Sequence, residues 1–206
     1  MKKGLILAVL AVFLAAGCAT SQQVVQPQPA LGAVQAPAPI FKVNDEWTYK
    51  DSYRNETTIK VVEFTENEVI TASSNRPNCK EIRNRNFTLK KLECEGTAPF
   101  VNTGFRYLDF PLYVGKSWQY SEMREVPSRG TFAGYAFMAR VTAMVTAYEK
   151  IKLPFEEFEC FRIEMDVMGA DLPLLLTYWY SPQVKAIIKW VLKNSVSPDR
   201  ELVRYK

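Results

Sequence analysis

Between residues 41 and 205 the chain is built from short runs in which apolar and polar positions alternate. Trp47, Tyr49 and Tyr53 share one parity, and Thr48, Lys50, Ser52 and Arg54 the other. Further on, Phe161, Ile163, Met165 and Val167 alternate with Arg162, Glu164 and Asp166, and Ile188, Trp190 and Leu192 with Lys189 and Lys193. Successive side chains of a strand point to opposite faces, so a period of two marks strands with one buried face. The pattern predicts a first strand from 47, strands at 57–64 and 68–73 around Thr65-Glu66-Asn67, and two short strands between Cys79 and Cys94 that turn near Asn84-Arg85-Asn86. Residues 96–104 read as irregular. Clearer strands follow at 118–125, 136–148, 158–167, 174–180, 186–193 and 201–205. Pro154, Pro173, Pro182 and Pro198 fall at strand ends, where a missing N–H does little harm.

No stretch sustains an apolar period of 3.6 residues. Residues 133–147 are rich in Ala and Met, but Val141, Thr142, Val145 and Thr146 favour a strand. Any helix is one or two turns, near 181–184. Roughly ten strands joined by hairpin-length loops imply an antiparallel sheet. A large sheet with one apolar face has to curl to bury it. The expected fold is therefore all-β with minor short helices, an antiparallel meander curled into a half-barrel or open barrel. One internal echo stands out. Val43, Trp47 and Tyr49 share the spacing V-x-x-x-W-x-Y with Val114, Trp118 and Tyr120, at an offset of 71. Each copy reads as a tight turn feeding a strand, with Trp and Tyr on one face. Two related meanders in one sheet account for the echo, and so does a three-position coincidence.

Upstream of residue 41 the alternation stops. Met1-Lys2-Lys3 is a short basic start, and 5–16 is an apolar run of 12 residues. A membrane-spanning helix needs ~20 apolar residues, so the run fits an export signal better. The small residues Ala15, Ala16 and Gly17 then precede Cys18. Leu14-Ala15-Ala16-Gly17-Cys18 resembles a bacterial lipobox, departing from it only in Ala15, where Leu is favoured. The resemblance implies a signal peptide over 1–17, cleavage before Cys18, and lipidation of Cys18 as the mature N-terminus. Two or more acyl chains would anchor the protein stably to a membrane. Ala19, rather than Asp, resembles an outer-membrane sorting signal, with the domain facing the periplasm. Residues 18–40 are uncharged and carry Pro27, Pro29, Pro37 and Pro39. They read as a disordered Pro/Gln/Ala linker, whose polyproline-like extension over 21–39 would reach at most about 60 Å. A single antiparallel β domain is then expected over 41–206.

Composition prunes the chemistry. The chain has 206 residues and no histidine, which removes the commonest general base and metal ligand. No phosphate loop, nucleophile elbow or dinucleotide fingerprint occurs, so no cofactor or metal site is expected. The formal charge of +4 shrinks once Lys2 and Lys3 leave with the signal, because 24 basic residues then face 22 acidic ones. That balance carries no footprint for nucleic acid. Lys80, Arg83, Arg85, Lys90 and Lys91 cluster as the solvated face of a hairpin, or as a contact for an anionic lipid or polysaccharide. Glu156, Glu157 and Glu159 are the densest acidic group. A carboxylate pair runs glycoside hydrolysis when suitably spaced, but adjacent glutamates before a strand are ordinarily solvated. Asp166 and Asp171 offer no better pair. In an oxidising compartment Cys79 and Cys94 bracket one hairpin and read as a disulfide. Cys160 is left over, on the parity of Arg162 and Glu164, which argues against simple burial. Gly130 and Gly134, in a loop with Phe132, Tyr135 and Phe137, suggest a lip over an apolar cavity, with 172–176 opposite. The expected ligand-lining set is Trp118, Phe132, Tyr135, Phe137, Trp179 and Trp190; packed loops closing the barrel end are the plainer reading.

Four further segments form a set. Phe110-Pro111-Leu112-Tyr113-Val114-Gly115-Lys116-Ser117-Trp118 resembles FPL-x-VGK-x-W. Leu153-Pro154 with Phe158, Arg162 and Ile163 resembles VPAGTF-x-x-x-R-V, although Phe155-Glu156-Glu157 replaces its small residues. Tyr178-Trp179-Tyr180-Ser181-Pro182 with Ile188-Lys189 resembles WY-x-P-x-x-x-x-V-K, and Glu201-Leu202 a closing EL. Together they resemble a family of bacterial periplasmic and lipoprotein domains related to the curled-sheet lipoprotein carriers. The resemblance spans roughly 47–205 and brings no catalytic residues with it. The anchor, the absent catalytic kit and the one-sided sheet together lead to the expectation of a non-enzymatic envelope lipoprotein whose curled domain binds an apolar ligand or an envelope protein. The alternative is a structural or assembly lipoprotein that docks a cell-envelope complex through its surface. If Cys18 carries the anchor, a Cys18→Ser protein will leave the membrane fraction and still fold; retention after a detergent-free membrane wash would overturn the anchor assignment.

Overall fold

The computed structural model describes residues 28–96, 100–101, 106–126, 135–169, 173–193 and 199–206. They form β1 (Glu46–Asp51), β2 (Glu56–Phe64), β3 (Glu68–Ser73), β4 (Arg76–Asn84), β5 (Leu89–Cys94) and β6 (Phe100–Val101). A second series follows as β7 (Ser117–Val126), β8 (Tyr135–Lys152), β9 (Glu157–Met168), β10 (Leu174–Ser181), β11 (Ala186–Lys193) and β12 (Arg200–Tyr205). All twelve lie in one antiparallel sheet, ordered β6-β5-β4-β3-β2-β1-β12-β11-β10-β9-β8-β7. The sheet does not close, since β6 and β7 are its two edges. The fold is the all-β, curled antiparallel meander that the alternation predicts. No helix occurs among the described residues, and 182–185, where a short helix was expected, is a turn. Residues 135–152 are strand throughout, as the β-branched positions require. Tyr53 leaves the pattern: β1 ends at Asp51, whose carboxylate accepts the Asn55 N–H at 2.8 Å and turns the chain.

The strand order divides the sheet into two halves of six. The chain meanders outward from β1 to β6, crosses to the far edge, and meanders inward from β7 to β12, which pairs with β1. The two copies of V-x-x-x-W-x-Y open β1 and β7, and their likeness reaches well beyond the three shared residues. Asn44 and Gly115 occupy the same left-handed corner, with φ of 77° and 92°. The Asp45 N–H donates to the Lys42 carbonyl, and the Lys116 N–H to the Tyr113 carbonyl, each at 3.0 Å. Asn44 N–H donates to the carbonyl of Val61, and Gly115 N–H to that of Val145, both at 2.9 Å. Each valine returns a bond at 2.8 Å, to the carbonyl of Asp45 or Lys116. Both valines are fully buried, and each stands at a register shift, between Val61 and Glu63 in β2 and between Val145 and Ala147 in β8. The corner's last residue is ion-paired in both copies, Asp45 to Lys185 at 2.9 Å and Lys116 to Asp109 at 3.1 Å. Each tryptophan ties down its own flank. Trp47 Nε1–H donates to the Val184 carbonyl at 2.7 Å, and Trp118 Nε1–H to that of Arg106 at 3.1 Å. The echo is a repeated structural corner, not a coincidence.

The two halves bury their apolar faces differently. In the second half, Trp118, Val141, Val145, Phe161, Ile163, Met165, Tyr178 and Tyr180 pack into one cluster together with Leu108, Leu112 and Ala36. The last three do not belong to the sheet. They come from the segment that leads into β7 and from the tether, so the chain fills this concavity with itself. Ala36 exchanges both backbone bonds with Leu112, at 2.9 and 2.8 Å, and is buried. Ala36, inside the stretch read as a disordered linker, is thus bonded into the domain; the Leu112 backbone supplies partners that a free spacer would seek in water. The remaining cluster gathers Phe41, Trp47, Tyr49, Val61, Val69, Phe158, Cys160, Ile188 and Leu202 around the β1–β12 junction.

Cys79 and Cys94 face each other across β4 and β5 and form the disulfide, their Cα atoms 4.0 Å apart. A loop of 15 residues closed in this way stabilises by roughly 3 kcal/mol in the chain-entropy account. The corner generates a sharper test. A Cβ on Gly115 meets nothing within 4 Å, so substitution there acts through the backbone alone. Gly115→Ala should cost about 1 kcal/mol, whereas Asn44→Gly should be neutral within ~0.5 kcal/mol. Urea unfolding of both variants measures the difference, and equal midpoints would refute the shared left-handed corner.

Candidate ligand-binding cleft

A cleft of about 400 Å³ opens on the concave side of the first half, between β1–β5 and β10–β12. One wall comes from Phe41, Trp47, Ile59 and Val69, the other from Leu176, Tyr178, Trp190 and Leu192. Alternation puts these side chains on one face of their strands, and the curl of the sheet brings the two sets opposite each other. Tyr107 closes the side nearest the filled half; the Tyr178 hydroxyl donates to its backbone carbonyl, and the two rings meet edge to face at 6.1 Å. Phe87 forms another boundary. It sits at φ 61° in the β4–β5 turn, which Asn84 Oδ1 holds by accepting the N–H groups of Asn86 and Thr88, each at 3.0 Å. Its ring contacts Phe41 at 5.5 Å and Tyr180 at 6.4 Å, bridging the two halves.

One part of the lining is charged. Arg76, Glu81 and Arg83 reach it from β4 and Arg200 from β12. Arg83 binds Glu81 at 2.5 Å and donates to the Phe87 carbonyl at 3.1 Å, while Arg76 stands 3.8 Å from the same carboxylate. Arg200 stacks over Trp190, its guanidinium carbon 5.8 Å from the ring centroid, and Trp190 lies 5.3 Å from the ring of Tyr49. Burial raises the Tyr49 hydroxyl well above its ordinary pKa, against the opposing pull of the Arg83 and Arg200 charges. The cleft thus combines an aromatic and aliphatic wall with guanidinium donors, a chemistry suited to binding. Its one lining carboxylate is already held by two arginines.

Of the residues singled out from sequence, Trp190 lines this cleft. Trp118 is buried in the second half and Phe137 packs at the edge of the same cluster, where Leu108 and Leu112 occupy the space a ligand would need. Trp179 faces elsewhere, donating to Glu149 at 2.8 Å with Lys189 above its ring. Cys18, Phe132 and the glycines of the suggested lip lie outside the described residues, and of Tyr135 only the backbone is described. Cys160 is fully buried, contrary to its parity. Burial in β9 skips a beat, so that Cys160 and Phe161 are both covered; just beyond them, opposite Arg162 and Ile163, β8 bulges between Val145 and Ala147, and β10 and β11 slip register at Trp179/Tyr180. Burial pushes the Cys160 thiol up to about 12, which keeps it protonated and unreactive at neutral pH.

The acidic cluster disperses. Glu156 accepts from Gln183 and Tyr205, each at 3.1 Å, Glu157 pairs with Lys150 at 3.4 Å, and Glu159 accepts from the Tyr148 hydroxyl at 2.9 Å. Glu157 and Glu159 border a second hollow, on an exposed face remote from the arginines. The basic cluster also divides: Lys90 and Lys91 pair with Glu68 and Glu93 on the surface, whereas Arg83 turns into the cleft. Among the described residues no group of three His, Cys, Asp or Glu side chains is placed to hold a metal ion. The lining residues Phe41, Trp47, Tyr49 and Arg200 escaped the sequence reading, although the pairing of a Trp-Tyr corner with a terminal strand of matching parity was available as a signal.

No protein-family model matches the chain, and no curated protein does. Among solved structures the chain is similar to a hypothetical lipoprotein, YmcC, from Escherichia coli (K12), at 8% identity and a TM-score of 0.49, over 81% of this chain and 90% of that one.

The buried phenols generate a pH prediction. Tyr49, Tyr178 and Tyr180 are all raised by burial above the ~10 of a free tyrosine. Their contribution to stability is whole below that unfolded value and is lost as pH climbs toward the raised folded values. Tyrosine absorbance should show these three un-ionised in the folded protein at pH 11, and the urea midpoint there should fall below its pH 8 value. A full phenolate signal from native protein at pH 11 would contradict their burial.

Proposed function

We propose that this protein is a lipid-anchored component of the bacterial cell envelope whose curled β domain holds an apolar ligand without catalysing a reaction. The observation that carries the reading is the cleft of about 400 Å³, left open in one half of a sheet whose other half is filled by the chain's own Leu108, Leu112 and Ala36. Its volume falls within the ~300–1,000 Å³ of ordinary small-molecule sites. Its titratable groups are poor acid–base catalysts: arginines that do not deprotonate, a glutamate held by two of them, and tyrosines kept neutral by burial. The lipobox at 14–18 supports tethering through Cys18, and Ala19 supports the outer membrane facing the periplasm.

The assembly reading finds support elsewhere on the surface. Met123 lies directly across from Met138, and Met168 pairs with Arg140 two residues on. All three methionines are more than half exposed, which gives the edge of β7–β9 a soft apolar strip of the kind that adaptable protein contacts use. Crosslinking in cells separates the readings, because a docking protein captures one constant partner through that strip.

The ligand reading is tested with N-phenyl-1-naphthylamine, a neutral apolar fluorophore, on full-length Cys18→Ser protein purified without detergent. Binding should saturate at one probe per chain. Val69→Trp, which projects an indole into the cleft, should weaken it by about tenfold or more, and Met123→Trp should not. Unsaturable binding, or unchanged affinity in a Val69→Trp protein with native circular dichroism, rules out the cleft as the site.

A further inference from the structure

Two polar groups face the charged part of the cleft, Tyr49 and Arg200. Tyr49 is only 6% exposed and lines the cleft, yet its hydroxyl has no hydrogen-bond partner among the described residues. The hydroxyl stands on the cleft wall rather than in the packed core, so it is open to a group that the protein itself does not supply. Arg200 is half-buried and stacks on Trp190; the Asp51 carboxylate opposite it in the β1–β12 pair feels its charge, but among the described residues no carboxylate comes within ion-pair distance of it. Arg83 and Arg76 differ, because Glu81 occupies both. The three guanidiniums outnumber the single carboxylate in the lining. Hydrogen bonds from arginine to an anion are among the stronger ones available, and more so in a partly desolvated site. Next to these donors stands the apolar wall of Trp47, Ile59, Val69 and Leu176.

Building on the apolar-ligand reading above, we propose that the cleft takes a single-chain anionic amphiphile, whose carboxylate or phosphate head accepts from Arg200 and Tyr49 while its hydrocarbon chain lies along Trp47, Ile59 and Val69. The volume favours one chain over two, since about 400 Å³ is near the lower end of ligand pockets. The head completes the bonding of Tyr49 and neutralises Arg200 without competing for Glu81. The indole of Trp190 holds the guanidinium in place beforehand, which limits the side-chain entropy lost on binding.

The test compares cis-parinaric acid with its methyl ester, on full-length Cys18→Ser protein free of detergent. The two probes share a chain and differ only in the charge of the head. The acid should bind about tenfold or more tightly than the ester, the size expected of a charge-assisted hydrogen bond. Arg200→Met should bring the acid down to the affinity of the ester and leave the ester unchanged. Tyr49→Phe, which keeps the ring, should weaken the acid by severalfold only. Competition with oleate and with lysophosphatidic acid then tells a carboxylate head from a phosphate head, and displacement by either supports an anionic amphiphile. Equal affinity for acid and ester, with no effect of Arg200→Met or Tyr49→Phe, overturns the headgroup assignment while leaving an apolar cleft in place. Failure of both probes to bind refutes the apolar-ligand reading itself. Should Arg200→Met not fold, loss of the acid's advantage over the ester at high salt gives the same answer on the unmutated head site.

Discussion

The pairing of β1 with β12 holds the rest of the structure in place. These strands come from the two ends of the domain, and they are zipped to the last residue, with Glu46 and Lys206 exchanging bonds of 3.0 and 2.9 Å. Without that seam there are two separate meanders, and only the second has a segment, with Leu108, Leu112 and Ala36, to bury its apolar face against. With the seam there is one curled sheet, and Trp47, Tyr49, Trp190 and Arg200 become neighbours. The cleft straddles the junction, so it is a property of the joined sheet and not of either half. A one-residue slip would turn the alternating side chains of β12 to the wrong face. The register shift after Thr48 sets that phase, and Leu202 is fully buried as a result.

The two halves begin with the same corner and end with different interiors. The repeated turn explains why each half can start a strand beside a buried valine and bulge just beyond it. What separates the halves is the crossing segment. Leu108 and Leu112 drop into the second concavity, Phe110 packs on Tyr180 at 5.3 Å, and Ala36 is stitched alongside. Nothing among the described residues enters the first concavity in the same way. The cleft is therefore what a repeated architecture leaves when only one of its two hollows is filled from within.

This asymmetry also explains how far the sequence could be read. Period-two alternation is a local property, and it located the strands, the one-sided sheet and the Cys79–Cys94 hairpin. The V-x-x-x-W-x-Y echo located the start of each half. Parity names a face but not what covers that face. Trp118 and Phe137 have the right parity for a cavity wall, but the segment leading into β7 folds back and occupies their space. Cys160 has the wrong parity for burial and is buried, because bulges in neighbouring strands shift the phase where two clusters meet. Arg83 sits in a run of basic residues and turns inward while Lys90 and Lys91 stay out. Each of these outcomes depends on how segments fold onto one another, which the alternation within a single strand does not contain.

An open cleft leaves polar groups facing its interior, and where they stand is informative. Tyr49 puts its hydroxyl on the cleft wall, and beside it Arg200 stacks on Trp190, with the Asp51 carboxylate opposite in the β1–β12 pair. The same fold shows that it can satisfy a tyrosine when a partner is at hand, for Tyr178 donates to the Tyr107 carbonyl where the cleft borders the filled half. It can also neutralise an inward-turned arginine, for Arg83 has Glu81. Tyr49 and Arg200 stand together, on β1 and β12, at the seam on which the whole sheet depends. They lie where the chain is most constrained, which is where a binding site has the stiffest support.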